Sequence, residues 1–195
     1  KQFQFDLIIS DNRFGFHHKQ LPSVFITHQL NVQTGFSFTN TLVRWLQYRY
    51  IKKFSSLWIP DIEGKENYAG ILSNPIKKPS MPTWYLGALS RLSPNNNLQT
   101  LDPIQFLGIV SGPEPQRTLF ENTLWMQGNA GDAAFAIVAG RPKGNNEPTI
   151  SNKGKLYPHV DGTSLAALIE SAEYIIFRGG YTSLMELIPF QKKLI

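Results

Sequence analysis

The residues best suited to chemistry follow the apolar run EYIIF, residues 173–177. Two glycines at positions 179 and 180 permit a tight turn in which the backbone can approach a ligand, and Tyr181 then begins a predicted helix. Free amide groups and the positive end of a helix dipole make such a junction a phosphate site. Glu186, near the first turn, could accept hydrogen bonds from ribose hydroxyls. The alternative is a tight turn followed by an ordinary helix, with Glu186 stabilising its N-terminus.

A second junction of the same kind lies within residues 108–121. An apolar run there ends at Ser111 and Gly112, and a helix is predicted to start at Pro115, a position that proline tolerates. Arg117, one turn into that helix, is a candidate phosphate partner, although a simple turn would show the same features. Open α/β proteins bind ligands at the carboxyl edge of a parallel sheet, where both junctions are expected. Together the two junctions predict a nucleotide site.

Polar side chains also follow the apolar runs in the first half of the chain. His28, Gln29 and Asn31 come directly after one run, and Asp11 and Asn12 come directly after the preceding one. A histidine at a strand end can serve as an acid, a base or a hydrogen-bond donor, and the alternative is a structural histidine. Asp11 and Asn12 either line a site or only close a turn. His28 is therefore the candidate catalytic residue.

Strands and helices alternate along the chain, which is typical of a doubly wound α/β fold. Apolar runs without alternation suit parallel strands covered on both faces: FDLIIS, SVFIT, SLWIP, FLGIV, AFAIVAG and EYIIF. Helices are predicted over residues 39–53, 115–125 and 163–172, the last with Thr163 or Ser164 as its N-cap. A further strand is predicted to open after Gln191.

The helix predicted over residues 39–53 carries apolar, aromatic and basic side chains at helical spacing. The side chains expected to pack inward are Leu42, Leu46 and Tyr50. The side chains expected to stay outside, solvated or available to an anionic membrane surface, are Arg44, Lys52 and Lys53.

Composition argues against several classes of function. The 195 residues are 42% hydrophobic and 17% charged, as in ordinary globular proteins, and no cysteine is present for a disulfide or a thiolate metal site. His17 and His18 are adjacent without an acidic cluster, so no metal site is predicted. The apolar runs are too short to span a bilayer and no signal peptide is visible, which favours a cytoplasmic protein. A net charge of +5 without a recognition motif argues against a nucleic-acid-binding module.

Residues 74–103 are rich in Pro, Asn and Ser and are predicted to connect two α/β lobes. The expected division is residues 1–90 and residues 91–195, and residues 142–148 are expected to form a polar loop. Both ends of the chain fall in strand-like runs, so each lobe is expected to be partial.

At these segments the chain resembles the GT-B glycosyltransferases of the type that includes the peptidoglycan N-acetylglucosaminyltransferase, with the family 28 C-terminal domain. The likeness covers nearly the whole chain. His28-Gln29-Leu30-Asn31 stands where that family has an HEQN-like motif, and SLWIPD leading on to YLGALSR matches its next strand and interdomain segment. From Arg178 to Glu186 the spacing matches the family's donor-binding stretch, with Gly180, Tyr181 and Ser183 between them. In the donor loop, Ser111-Gly112-Pro113-Glu114 replaces the family's Gly-Gly-Ser type turn.

The resemblance implies two partial Rossmann-like lobes facing a cleft, with the acceptor on the first lobe and the nucleotide sugar on the second. Glu186 would hold the ribose hydroxyls, while Gly180, Tyr181 and Ser183 would line the diphosphate and the sugar. Asp11, Asn12, Gln29 and Asn31 would then lie on the acceptor side.

The implied reaction is metal-independent transfer of a sugar from a nucleotide diphosphate donor, UDP-linked, to an acceptor hydroxyl, with no cofactor. A nucleotide-sugar hydrolase or 2-epimerase on the same fold is the alternative. The resemblance also implies that an N-terminal Gly-rich loop and a C-terminal donor loop lie outside this chain, so the chain alone is expected to be inactive.

Overall fold

The computed structural model describes residues 4–94, 101–141 and 147–195. The chain divides into two compact units, Lys1–Leu89 and Ser90–Ile195. The predicted connection at 74–103 and the predicted polar loop at 142–148 lie partly outside the described residues, at 95–100 and 142–146.

The first unit is built on a four-stranded parallel sheet whose strands lie in chain order. The strands are β1 (Ile8–Asp11), β2 (Ser23–Ile26), β3 (Ser56–Ile59) and β4 (Thr83–Tyr85). Helix α1 (Ser37–Ile51) connects β2 to β3, and a 3-10 turn at Gly70–Leu72 precedes β4. The first three strands confirm the predictions from FDLIIS, SVFIT and SLWIP. The short β4 was not predicted, because it lies in the proline-rich stretch that resembles a connection.

The core of this unit combines aromatic and aliphatic side chains. Phe14 stacks on Phe25 with ring centroids 4.9 Å apart, and Phe25 lies 4.9 Å from Phe54. Ile51 of α1 and Leu57 of β3 complete the cluster and are fully buried. From α1, Ile51 is buried in this cluster and Tyr48 packs against it, so the helix itself contributes few residues to the core.

The prediction for the buried face of α1 was wrong. Leu42, Leu46 and Tyr50 are 47%, 40% and 44% exposed, and the buried residues of α1 are Gln47 and Ile51. The Gln47 side chain donates a hydrogen bond to the backbone oxygen of Gln29, so a polar residue occupies the face turned to the strands. Of the basic residues predicted outside, Lys52 and Lys53 are exposed and Arg44 is half-buried.

Asp61 is fully buried two residues after β3 and organises the loop that follows. Its carboxylate accepts hydrogen bonds from the backbone N–H groups of Ile62 at 2.7 Å, Tyr68 at 2.8 Å and Ala69 at 3.0 Å, and from the Ser73 hydroxyl. Burial raises the pKa of Asp61, but these hydrogen bonds together hold it below its ordinary value of 3.8. The loop from 61 to 73 is therefore tied to the sheet through one charged side chain.

The second unit is built on a six-stranded sheet in the order β10-β9-β5-β6-β8-β7. Its strands are β5 (Ile104–Ile109), β6 (Phe135–Val138), β7 (Thr149–Ile150), β8 (Gly154–Tyr157), β9 (Ala172–Phe177) and β10 (Lys193–Leu194). The short β7 pairs with β8 in antiparallel fashion, and every other pair is parallel. The runs FLGIV, AFAIVAG and EYIIF and the opening at the chain end are confirmed as strands.

Helices cover both faces of this sheet, as expected for a doubly wound fold. They are α2 (Gln116–Ala130), α3 (Gly162–Ser171) and α4 (Tyr181–Leu187), the last followed by a 3-10 turn at Ile188–Phe190. Alternate residues of β6 enter different clusters: Ala136 and Val138 pack with the cluster that includes α3, whereas Phe135 and Ile137 pack with the cluster beside α2. The N-cap of α3 is Asp161, which accepts from the Ser164 N–H at 2.8 Å, and not Thr163 or Ser164 as predicted.

The ring of Phe135 occupies a slot formed by two glycines. A Cβ atom at Gly154 would lie 2.2 Å from the ring, and one at Gly128 would lie 2.7 Å from it. The neighbouring Trp125 ring meets Phe135 edge-on at 5.7 Å. The glycines therefore let α2 and β8 close around one aromatic side chain.

We expect Gly154→Ala to lower the free energy of unfolding by about 3 kcal/mol, because the added methyl group cannot coexist with the Phe135 ring. Shortening that side chain in Gly154→Ala/Phe135→Leu should recover part of the loss, which urea denaturation would detect as a favourable coupling energy. Gly131→Ala is the matched control, since its Cβ would lie 3.6 Å from the Gln127 backbone oxygen, an ordinary van der Waals contact. Additive losses in the double variant would contradict the packing of this slot.

We expect Asp61→Asn to lower the free energy of unfolding by about 3 kcal/mol at pH 7, since it leaves buried donors without a charged acceptor. The folded-state pKa of Asp61 is depressed, so this contribution is complete above pH 3.8 and is lost as the pH falls through the lower folded-state pKa. The difference between the parent protein and the variant should therefore shrink below pH 3.8 in urea denaturation. Asp6→Asn, at an exposed position, is the control. A difference that stays constant with pH would contradict the assignment.

Candidate functional site

The strand order of the second unit reverses between β5 and β9. The parallel strands run outward from β5 through β6 and β8 on one side, and from β9 through β10 on the other. Strands β5 and β9 are paired in parallel up to Ile109 and Phe177, so the loops that follow them leave the same edge side by side. Such a reversal point creates a crevice at the carboxyl edge, where open α/β sheets bind their ligands. Both junctions singled out in the sequence lie there.

Arg178 crosses from the end of β9 to the loop after β5. Its Nη1 atom donates a hydrogen bond to the Ser111 backbone oxygen at 3.2 Å, although the two residues are 67 positions apart in the chain. Gly112 has a φ of +99°, and a Cβ atom there would lie 2.6 Å from Arg178 Nη1. Glycine at 112 therefore permits the left-handed backbone and leaves the space that the Arg178 guanidinium group occupies.

Two hydroxyl groups lie beside this arginine. The Ser111 and Ser183 Oγ atoms are 3.5 Å apart, the first in the loop after β5 and the second in the first turn of α4. Gly179 has a φ of +66° and makes the turn, and Gly180 is the N-cap residue of α4, in which Tyr181 is the first residue. The structure thus brings together a guanidinium group, two hydroxyls and a helix start, which are groups that hydrogen-bond to phosphate oxygens.

Glu186 lies in the last turn of the short helix α4 and not near its first turn, as the sequence had suggested. Its Oε1 atom pairs with Arg91 Nε at 2.6 Å, and its side chain is 19% exposed. The Ser90 hydroxyl lies 3.4 Å from the Glu186 backbone oxygen. A ribose hydroxyl bound by Glu186 would therefore share the carboxylate with Arg91.

Arg117 is engaged with a neighbouring acid at the start of α2. Its Nη2 atom lies 2.6 Å from Glu114 Oε1, and Glu114 also accepts from the backbone N–H of Thr118 at 3.2 Å and from its hydroxyl at 2.8 Å. Hydrogen bonds from Thr118 and then from Arg117 hold the pKa of Glu114 below its ordinary value. In this structure a carboxylate, balanced by Arg117, takes the place at this helix start where a phosphate was predicted.

The carboxyl edge of the first unit brings His28 and two acids into one electrostatic environment. Asp11 ends β1 and pairs in register with Ile26, just ahead of His28, while Asp61 follows the neighbouring β3. Burial lowers the pKa of His28, and the charges of Asp61 and Asp11 oppose that change without cancelling it. The lowered pKa favours the neutral imidazole, whereas the two carboxylates would stabilise the ring once it is protonated.

The remaining predicted residues of this edge differ in their surroundings. Asn12 has a φ of +53° and its N–H donates to the Ile26 oxygen at 3.0 Å, so it closes the turn after β1. Gln29 has an exposed side chain. Asn31 Oδ1 lies 3.5 Å from Arg44 Nη1 on α1.

Sequence reasoning missed Asp61 as a member of this edge. The signal was present, because Asp61 follows the run SLWIP just as Asp11 and His28 follow theirs. What the sequence does not show is that the loop folds back and supplies four donors to the carboxylate.

Among the described residues no group of three or more His, Asp or Glu side chains is arranged to hold a metal ion. Within the same described ranges, none of the helices has the length and apolar character needed to cross a bilayer.

No known protein family and no curated protein matches the chain. Among solved structures, the chain is similar to the glycosyltransferase SnogD from Streptomyces nogalater, with 13% sequence identity and a TM-score of 0.47. The alignment covers 97% of this chain and 54% of the SnogD chain, so this chain spans about half of the SnogD length.

Proposed function

We propose that this chain is part of a glycosyltransferase that moves a sugar from a nucleoside diphosphate donor, UDP-linked, to an acceptor hydroxyl without a metal ion. The observation that carries the proposal is the cluster of Ser111, Gly112, Arg178 and Ser183 at the reversal point of the second sheet. The spacing from Arg178 to Glu186, which resembles the donor-binding stretch of GT-B enzymes, supports the same proposal.

The donor diphosphate is assigned to this cluster. When the acceptor oxygen attacks the anomeric carbon, the bond from that carbon to the diphosphate oxygen breaks and the departing diphosphate gains negative charge. The Arg178 guanidinium group and the hydroxyls of Ser111 and Ser183 are suited to stabilise that charge, because they are held in place before the reaction. A positioned cation of this kind can perform the role that a bound metal has in other transferases.

The acceptor is assigned to the first unit, with His28 as the base that takes the proton from the attacking hydroxyl. A base must be unprotonated at the start, and burial lowers the pKa of His28. After proton transfer the imidazolium would be stabilised by the charges of Asp61 and Asp11. The alternative reactions on the same fold are hydrolysis and 2-epimerisation of the donor, and incubation of the complete enzyme with the donor alone tests both. Release of free sugar without an acceptor indicates hydrolysis, and interconversion of the donor sugar indicates epimerisation.

UDP should bind this chain, and calorimetry should show that Glu186→Ala weakens binding by ~1 to 3 kcal/mol, the scale of hydrogen bonds to charged groups. Arg178→Gln should weaken UDP about tenfold through loss of a charged phosphate partner. Lys155→Gln removes one positive charge at an exposed position on β8 and is the matched control. If Glu186→Ala and Arg178→Gln are folded and bind UDP as tightly as the parent chain, the cluster is not the UDP site. The same conclusion follows if Lys155→Gln loses as much UDP affinity as Arg178→Gln.

In the complete enzyme His28→Ala should lower turnover by roughly a hundredfold or more, the range of general acid–base catalysis, and leave UDP affinity unchanged. Because the pKa of His28 lies below the ordinary 6.5, kcat/KM of the parent enzyme should decline on the acid side with a midpoint below pH 6.5. That decline should be absent in the variant. A lower melting temperature with activity reduced only in proportion to folded protein would instead identify a structural histidine. Full activity with normal stability would rule out both roles.

A further inference from the structure

A second surface of the first unit has the chemistry of an anion site. Helix α1 and residues 77–80 enclose a groove of about 490 Å³ whose lining contains no acidic side chain. The cationic residues that line it are Arg44, Arg49, Lys52, Lys77 and Lys78. Its residues lie outside the donor cluster, and Arg44 is the lining residue that also contacts the acceptor-side Asn31.

Placing these cations together is electrostatically unfavourable unless something compensates for their charge. Across the described part of the chain, ion pairs supply a carboxylate to only one of them, Lys78, which pairs with Glu63. The positive field of the groove is therefore mostly uncompensated by the protein. An anionic ligand would remove that imbalance.

Aromatic side chains form part of the same groove. Trp45 is 55% exposed, and the Arg49 guanidinium group lies 5.6 Å from its ring centre. Tyr48 donates a hydrogen bond from its hydroxyl to the Lys77 backbone oxygen at 2.8 Å, which ties the helix to the opposite wall. The groove thus has a defined shape, with an apolar surface next to its positive charges.

The groove extends away from the edge that carries His28. Lys52 directly follows α1 and comes shortly before β3, and Ser80 comes shortly before β4, so this end of the groove lies towards the amino ends of those strands. His28, in contrast, follows the carboxyl end of β2. A ligand in the groove would therefore not need to occupy the candidate catalytic edge.

We propose that the groove between α1 and residues 77–80 binds a phosphate monoester carried on an aromatic or apolar body. Arg44 and Arg49 offer guanidinium groups suited to phosphate oxygens, the lysines add positive charge, and the Trp45 ring offers a surface for the body of the ligand. The site is separate from the proposed donor site, and its assignment does not depend on the proposed reaction.

The test uses the full chain and phenyl phosphate, titrated by calorimetry at low ionic strength. We expect saturable binding that Arg49→Gln/Lys52→Gln weakens tenfold or more. The matched control is Lys53→Gln/Lys65→Gln, which removes the same charge from exposed positions that do not line the groove. Lys77→Gln tests the opposite wall and should also weaken binding, while melting temperatures verify that each variant is folded.

Two further arms identify the source of the ligand and separate this site from the donor site. Vesicles of phosphatidylcholine containing phosphatidate should bind the parent chain but not Arg49→Gln/Lys52→Gln if the phosphate belongs to a lipid headgroup. Binding of phenyl phosphate without binding of vesicles assigns a soluble ligand. Arg178→Gln should leave phenyl phosphate affinity unchanged, so a failure of the proposed donor site would leave this result intact.

No saturable binding of phenyl phosphate would overturn the proposal. Equal loss of phenyl phosphate affinity in the groove variant and in its control would also overturn it, because the effect would then come from net charge alone. Binding of phenol as tight as that of phenyl phosphate would show that the phosphate is not recognised.

Discussion

The parallel pairing of β5 with β9 is the interaction on which the candidate donor site depends. These two strands are joined in register from Ile104 and Ala172 to Ile109 and Phe177, although α2, β6, β7, β8 and α3 lie between them in the chain. Since their carboxyl ends coincide, the two junctions predicted from the sequence lie side by side, and the hydroxyls of Ser111 and Ser183 come close to each other there. The pairing itself is maintained because helices bury both faces of the sheet, and the Phe135 slot shows how closely they pack.

Charge is distributed differently in the parts of the molecule that could act on a ligand. At the reversal point, Arg178 is held by a backbone oxygen, whereas Arg117 and Glu186 are engaged with partners of opposite charge. At the carboxyl edge of the first unit, Asp61 is used for structure, and its charge also acts on His28. A protein that handles a charged donor needs fixed dipoles and charges, because reorganising them during the reaction would cost free energy.

Much of the fold was predictable, because parallel strands buried on both faces must be continuously apolar and end at turn residues. For that reason the runs FDLIIS, SVFIT, SLWIP, FLGIV, AFAIVAG and EYIIF located the strands after which the candidate site residues lie. The inward face of α1 was not predictable in the same way. Apolar and aromatic residues occur around much of the helix, and the buried face was decided by the Phe25–Phe54 cluster and by the hydrogen bond of Gln47. The loop donors of Asp61 likewise come from a fold-back that no local pattern reveals.

The sequence by itself determined the types of the helices and of the strands with continuous apolar runs, and the residues that follow those strands, since periodicity and turn chemistry act within a few neighbouring positions. Only the tertiary structure decided the strand order, the contact between Arg178 and the Ser111 loop, the partners of Glu186 and Arg117, and the cationic groove beside α1. Except for the pairing of Arg117 with the nearby Glu114, each of these features depends on residues that lie far apart in the chain and meet only when separate helices and strands pack together. Local preferences act along the chain, whereas such contacts are selected by how the elements bury their apolar surfaces together.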